Sequence, residues 1–380
     1  MYWSTKYSKG AWVIDDYATS KWALTSPHFS AQRASRWLTT AELANAHKRL
    51  GPFKDLLSES VVFLEDDKHK ATRKRLVECL RAAMSAGFEC RLRLMVAETI
   101  NAAVGRRAID VVREVAQFIP MMSICDLLGI TIENREEFID WCKSISEFLG
   151  EPIELYDSAL RAQNAALAMT KFFNTQIHSN NFIHDDSKIL FSLLRSDEFG
   201  GTKNRRALFA QLGTLFFGAY ETTQNLISNA FWAFSEFPLE YEKLKASPYL
   251  IDSVIEEILR YFSPVQYTGR VILSDTTVNG LHLKRGELII VDIAKANRDP
   301  AIFDNPNKFD IARVESKHLA FGYGHHFCIG SRLSVLELKI VLQNLIGGAI
   351  DLRRLGKPIP LTNTLYKGFS CLPMEMVRPL

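Results

Sequence analysis

The sequence predicts a mainly α-helical protein, one large domain with small β-sheets, and three observations predict it. Helical spacing of apolar residues covers 67–83, 88–104, 109–128, 134–149, 155–179, 186–196, 203–237, 239–246, 249–262 and 331–346. Strand signals are few and short. No internal repeat and no Pro/Gly/Ser-rich linker divides the 380 residues. One domain over 1–380 is therefore expected, although length alone, at about 150 residues per domain, allows two or three.

Taken in order, the elements begin with Ala11 to Ile14, whose alternation reads as a strand. The helices through 67–196 follow, with the polar stretch His178 to Ser187 expected as a loop, as is Arg195 to Arg206. The 203–237 helix would be roughly 45 to 50 Å long at 1.5 Å per residue, enough to cross the domain. It is apolar nearly all round and should be buried. Its centre nevertheless carries Glu221, Thr222, Thr223, Asn225 and Asn229. Burying these costs free energy unless they are hydrogen-bonded or wet. The bland reading is a polar belt satisfied by neighbouring helices, since Ser and Thr in buried helices often bond back to the preceding turn. Val271 to Leu273 reads as a strand, with turns at Asn279-Gly280 and Arg285-Gly286.

Composition excludes several classes. With 47% hydrophobic and 23% charged residues the chain lies far from disordered sequences. A net charge of +3 is too mild to demand nucleic acid or an anionic membrane as partner. The cysteines, Cys79, Cys90, Cys125, Cys142, Cys328 and Cys371, show neither a CxxC pair nor a secreted framework, so reduced thiols in a cytoplasm are expected. The N-terminal residues lack the apolar run of a signal peptide or anchor. The longest apolar stretch, Ala207 to Phe237, is interrupted by its polar centre, which argues against a lipid span.

Chemistry concentrates at Phe321-Gly322-Tyr323-Gly324-His325-His326-Phe327-Cys328-Ile329-Gly330, where three glycines surround one cysteine directly before the helix Ser331 to Leu345. Glycine lets backbone approach something flat and take up positive φ. A cysteine at a helix N-terminus has its thiolate favoured by free amides and the dipole. A buried structural thiol needs none of this. His325, His326 and Cys328 make a poor zinc set without further pairs at ligand spacing.

This loop matches the cytochrome P450 signature F-G-x-G-x-H-x-C-x-G at every fixed position, and the chain resembles that family from about residue 11 to 377. The resemblance implies the cytochrome P450 fold, haem b (iron protoporphyrin IX) as cofactor, and Cys328 as the thiolate ligand of its iron. Leu333 and Glu337 fall where the family continues the following helix. Glu257-Ile258-Leu259-Arg260 resembles the family's E-x-x-R pair, and with Arg313 it implies a structural triad that fixes the loop. The flanking runs from Arg260 to Gln266, Ala296 to Phe303 and Phe309 to Arg313 agree. His69 and Arg73, i,i+4 on one face, resemble the H-x-x-x-R pair that holds a haem propionate. Arg270 and His326 match the other propionate partners, and Phe321, Gly322 and Gly330 the remaining cofactor contacts. On their own residues, without Cys328, His69 and Arg73 read first as a solvated basic face, since Lys68, Lys70, Lys74 and Arg75 surround them.

Gly218-Ala219-Tyr220-Glu221-Thr222-Thr223 resembles [AG]-G-x-[ED]-T-[TS], which implies that Glu221 and Thr222 deliver protons to dioxygen at the haem. Ala219 stands where the family has glycine, so its methyl narrows the groove beside the cofactor. The family's first helix has no counterpart in the chain. Thr214, Phe217, Gly218, Val265, Gln266, Thr268, Tyr366 and Phe369 match segments that line family pockets and make a mostly apolar wall, with Gln266 or Thr268 as orienting donors.

The function implied is a monooxygenase inserting one oxygen atom of O2 into a small organic molecule such as a terpenoid, polyketide, fatty acyl or aromatic metabolite. Electrons would come from an external ferredoxin or flavodoxin with its NAD(P)H reductase, since no flavin or iron–sulfur domain is fused. Lys70, Arg73, Lys74, Arg75 and Arg332 would form a basic patch for an acidic partner. The competing readings are a haem-thiolate isomerase, dehydratase, coupling or peroxide-using enzyme, and a non-enzymatic helical binding protein.

Overall fold

The computed structural model describes residues 1–7, 10–44, 49–84, 87–151, 155–179, 182–201, 204–314 and 317–378. Its helices are α1 (Tyr17–Thr25), α2 (Ala34–Ala44), α3 (Gly51–Glu59), α4 (Asp66–Ala83), α5 (Phe88–Ala103), α6 (Phe118–Leu128) and α7 (Arg135–Gly150). There follow α8 (Tyr156–Ile177), α9 (Ile189–Leu194), α10 (Arg205–Glu236), α11 (Pro238–Ala246), α12 (Ile251–Tyr261), α13 (Ile293–Ala296) and α14 (Ser331–Gly347). The strands are β1 (Tyr2–Ser4), β2 (Ala11–Ile14), β3 (Phe29–Ser30), β4 (Ile109–Asp110), β5 (Tyr267–Ile272) and β6 (Thr276–Val278). The remainder are β7 (Leu281–Leu283), β8 (Leu288–Asp292), β9 (Asp351–Arg354), β10 (Ile359–Pro360), β11 (Phe369–Cys371) and β12 (Pro373–Val377).

Helix α10 is the axis, as its all-round apolarity predicts. Leu208, Leu212, Phe216, Ile227 and Phe231 are buried against α3, α6, α8, α12 and α14. Its polar residues are bonded to neighbours. Gln211 accepts from the Val61 N–H at 3.0 Å and donates to the Glu59 carbonyl at 2.5 Å. Asn229 donates to the Phe262 and Lys367 carbonyls at 3.0 and 2.9 Å, and the Thr223 and Ser334 hydroxyls lie 2.9 Å apart. These bonds offset the burial of the polar belt and tie α10 to the first turn of α14.

A five-stranded sheet in the order β1-β2-β8-β5-β3 flanks the helices, with β2 and β8 parallel and the other pairs antiparallel. The β6–β7 hairpin turns at Asn279 (φ 50°) and Gly280 (φ 77°), the left-handed pair that a tight hairpin requires. β4 and β9 pair with β12, and β10 with β11.

Three expectations are corrected. The 109–128 stretch is not one helix: it divides into β4, a turn of π-helix at Val112–Ala116, and α6. Asp110 Oδ1 accepts from the Val112 and Leu372 N–H groups at 3.1 and 2.9 Å, which takes the start of the stretch into the β12 sheet. The 186–196 helix shortens to α9. The strand expected at Val271 to Leu273 is β5, which begins earlier and ends at Ile272. Residues 180–181 of the first expected loop, 202–203 of the second, and the expected helix start at 203 lie outside the described residues.

Candidate active site

The cysteine loop is shaped by two left-handed glycines, Gly322 (φ 72°) and Gly324 (φ 73°), and closed by a bond from the Cys328 N–H to the Phe321 carbonyl at 2.9 Å. Gly330 caps α14. The Cys328 sulfur accepts from the backbone N–H groups of Gly330 and Ser331. Burial pushes its thiol above the ordinary value, opposed by the amides and by Arg73. Desolvation outweighs the amides here. A cation on the sulfur would favour the thiolate.

Two contacts hold the loop from outside. Glu257 (2% exposed) and Arg260 (1%) form a bidentate pair, Nε to Oε2 at 2.7 Å and Nη2 to Oε1 at 2.8 Å, with Arg313 Nε 3.1 Å from Oε2. Arg260 also donates to the carbonyls of Asn297, Pro306 and Lys308. Asn297 Oδ1 in turn accepts from the Leu319 N–H at 2.6 Å, two residues before the loop. On the other side, a Cβ on Gly324 would lie 2.7 Å from Thr25 Cγ2, so α1 seats directly on the loop.

Beside the cysteine lies a cluster of basic side chains. The His69 and His326 rings stand 4.2 Å apart, and His69 Nε2 has no hydrogen-bond partner. Burial, His326 and Arg73 push His69 down to about 4. Arg73 is half-buried, and Cys328 acts on its charge. Arg270 is buried, donates to the Gly269 carbonyl at 2.8 Å and to Thr268 Oγ1 at 3.4 Å, and is pushed down to about 10 by burial. Sequence reasoning missed the acid here. Glu65, the residue before α4, accepts from Ser30 and the Ala31 N–H and lies 3.6 Å from His326 Nε2. Burial pushes its carboxyl up, yet bonds from His326, Ala31 and Ser30 bring it down to about 2. Its only sequence signal is its place at the head of an acidic trio. With Arg73 and Arg270 beside one acid already bonded to Ser30 and Ala31, and His69 Nε2 without a partner, the cluster fits an anionic group such as the two propionates of haem b.

Midway along the buried α10, one face opens. Gly218 is exposed, with nothing within 4 Å of where a Cβ would be. Thr214, Phe217, Ala219 and Thr222 are half-exposed. Thr214, Gly218 and Thr222 share a stripe at i,i+4 spacing. Thr222 Oγ1 donates to the Gly218 carbonyl at 2.7 Å, and Thr214 lies 2.8 Å from Ser60 Oγ. Glu221 (4% exposed) faces α7 instead. Its Oε1 accepts from Ser146 Oγ at 2.9 Å and its Oε2 from Gln224 Nε2 at 3.0 Å. Burial raises the carboxyl to about 7 against these donors. Nothing in the local spacing could have found Ser146, which lies on another helix.

The expected pocket wall is only partly assembled. Val265 bridges Tyr366, whose ring lies 6.4 Å from that of Phe217. Val265 itself packs on the Tyr17, Ile293 and Phe303 cluster. Gln266 Nε2 donates to its own neighbour's carbonyl, Ser263, at 2.6 Å. Phe369 is corrected: its ring sits 5.1 Å from that of Trp232, some ten residues and about 15 Å along α10 from Thr222. Of the basic patch, Lys70, Lys74 and Arg332 are exposed. Arg75 is not part of it, because its guanidinium donates to the Ser192 carbonyl at 2.8 Å. Among the described residues no helix is long and apolar enough to cross a membrane.

A helical fold with a cysteine loop capping one buried helix, basic side chains beside that cysteine and an opened stripe on a second buried helix is the architecture of a haem-thiolate protein. Comparison agrees. The sequence model of the cytochrome P450 family matches residues 42–347. The cytochrome P450 monooxygenase PikC of Streptomyces venezuelae is 30% identical over 97% of this chain and 85% of its own length. The polyketide biosynthesis cytochrome P450 PksS of Bacillus subtilis is 31% identical over 82% and 74%. The crystal structure of P450BioI in complex with an acyl carrier protein ligated to hexadec-9Z-enoic acid aligns with TM-score 0.84, at 24% identity over 96% of this chain and 92% of that one. The chain belongs to the cytochrome P450 family. It is an oxidoreductase whose cofactor is haem b.

Proposed function

We propose that the protein inserts one oxygen atom of O2 into a mostly apolar small organic molecule of secondary metabolism. Electrons come from an external ferredoxin or flavodoxin and its NAD(P)H reductase. The observation that carries this reading is a carboxyl buried on α10, bonded to Ser146 and Gln224, one residue from a hydroxyl on the opened stripe. Burial raises that carboxyl to about 7, where it can take and release the protons that O–O cleavage needs. The name of PksS, a polyketide biosynthesis cytochrome P450, supports the metabolic setting, and that of PikC, a monooxygenase, the reaction.

Haem b, when bound, supplies a redox-active iron that accepts single electrons and activates O2. Cys328 Sγ would hold the iron, and His69, Arg73, Arg270 and His326 the propionates, with Phe321, Gly322 and Gly330 around the sulfur. Ala219 would lie along the cofactor face. Glu257, Arg260 and Arg313 keep the loop in place. Thr222 Oγ1 holds a proton at the stripe, and Glu221, oriented by Ser146 and Gln224, resupplies it. Thr214, Phe217, Gly218, Thr268 and Tyr366 exclude water and shape the pocket. The partner docks at Lys70, Lys74 and Arg332.

Turnover under 18O2 with NADH and a surrogate ferredoxin pair, against a panel of terpenoid, polyketide, fatty acyl and aromatic compounds, tests the reading. One labelled oxygen per product is expected. Product without label, or turnover supported by hydrogen peroxide alone, would favour the non-oxygenating or peroxide-using class.

A further inference from the structure

We infer that Asn363 is a positioning residue for the reaction: seated on the end of α7, it holds the Ser146 hydroxyl on the Glu221 carboxyl and, in the same turn, holds Tyr366 in the pocket wall. This rests on the monooxygenase reading of Glu221 and adds a residue to it. Asn363 Nδ2 donates to the Ser146 carbonyl at 2.6 Å and lies 3.3 Å from Ser146 Oγ, which in turn donates to Glu221 Oε1 at 2.9 Å. Asn363 Oδ1 accepts from the Leu365 and Tyr366 N–H groups at 2.8 and 3.2 Å. The amide has one workable orientation, because reversing it would set its nitrogen against two N–H donors and its oxygen against a carbonyl. A serine hydroxyl inside a helix otherwise turns back to the carbonyl one turn before it. With Asn363 on a lone pair of Ser146, the single hydroxyl proton is directed to the acid.

The seat is built for this contact. A Cβ on Gly150 would overlap the Asn363 amide, so that side chain rests on bare backbone at the last residue of α7. Thr364 Oγ1 donates to the Gly150 carbonyl at 2.6 Å and fixes the next residue there. Further on, the same segment packs on α10, where a Cβ on Gly368 would overlap the Asn225 amide, and Asn225 Nδ2 donates to the Glu221 carbonyl at 2.8 Å. Residues 363–368 therefore brace the acid twice, through Ser146 and through Asn225, and carry Tyr366 to Phe217 on the opened stripe. The titratable groups beside Glu221 are Cys142 of α7, Tyr220 of α10 and Tyr366, all pushed up by burial and uncharged at neutral pH. Their neutrality leaves burial, which raises the carboxyl, and the donors Ser146, Asn225 and Gln224, which lower it, to set how readily it ionises.

The test is infrared titration of the ferric holoenzyme between pH 5 and pH 10, reading the protonated carboxyl band that Glu221→Gln removes. In wild type that band should titrate with a midpoint of about 7. Ser146→Ala and Asn363→Ala each take a donor from the ionised form and should raise the midpoint by about one pH unit. The double variant should titrate like Ser146→Ala alone, since Asn363 acts through that hydroxyl. Asn363→Ser keeps a short oxygen for the turn but does not reach Ser146. It should give the same rise and decides the matter should Asn363→Ala fail to fold. A folded Asn363 variant with an unmoved midpoint would overturn the assignment, because loosening Tyr366 alone changes substrate affinity and not the titration. A shift that persists in full on top of Ser146→Ala would overturn it too. The titration needs no turnover, so the two claims fail apart. Shifted midpoints in an enzyme whose products carry no 18O remove the monooxygenase reading and support this positioning, whereas unmoved midpoints beside one labelled oxygen per product remove only this inference.

Discussion

Glu221 and Thr222 are neighbours in sequence but face different surroundings, and the difference sets separate tests. Thr222 lies on the opened stripe with its hydroxyl on the Gly218 carbonyl, so Thr222→Ala changes a proton donor and little packing. NADH consumption should continue while product falls and hydrogen peroxide per NADH rises. Coupling equal to wild type would remove the hydroxyl from the relay. Glu221, raised to about 7 by burial, is protonated below that pH and ionised above it. Glu221→Gln should lower turnover by about a hundredfold and abolish any rate inflection near neutral pH. Both residues were legible from the Gly218 to Thr223 pattern, whereas Ser146 and Glu65 were not. Their contacts reach across 75 positions in one case and 34 or more in the other, and no local spacing encodes such pairings.

At the scale of elements, the cysteine loop depends on what grips it from both sides. Removing one partner of the Glu257–Arg260 pair leaves the other charge buried, at a cost of several kcal/mol. Glu257→Ala should therefore yield little soluble haem-loaded protein, and a normal yield would make the pair an ordinary contact. Gly324→Ala meets both a left-handed φ and the Thr25 methyl. It should cost about 1 to 2 kcal/mol, seen as a lower urea midpoint and weaker haem retention. That second grip escaped the sequence, because α1 to α3 are short and gain their stability from packing, not from long apolar periodicity. The same reason explains the break in the 109–128 stretch: the pull of Leu372 on Asp110 is tertiary, and local spacing is blind to it. Long, all-round apolar α10 was legible almost to its ends.

For the whole molecule, a fully buried acid adds a pH dependence that the site does not need. Glu337 on α14 is 0% exposed and neither oxygen has a hydrogen-bond partner of ordinary length. Burial raises it from 4.5 to about 8, and the Ser123 hydroxyl only partly opposes this. The folded state binds this proton more tightly than the unfolded chain, so the contribution is full below 4.5 and lost as pH rises through about 8. Thermal unfolding should shift down between pH 5 and pH 9, and Glu337→Gln should raise the midpoint at pH 9 by roughly 5 °C with no gain at pH 5. An equal gain at both values would mean that ionisation is not the cause. The central claim is that Cys328 presents a thiolate to haem iron, and the spectrum of dithionite-reduced protein under carbon monoxide tests it most directly. Wild type should show the red-shifted Soret band of a thiolate ligand, and Cys328→Ser should fold and lose that band. A wild type without the band, or a serine variant that keeps it, would contradict the account.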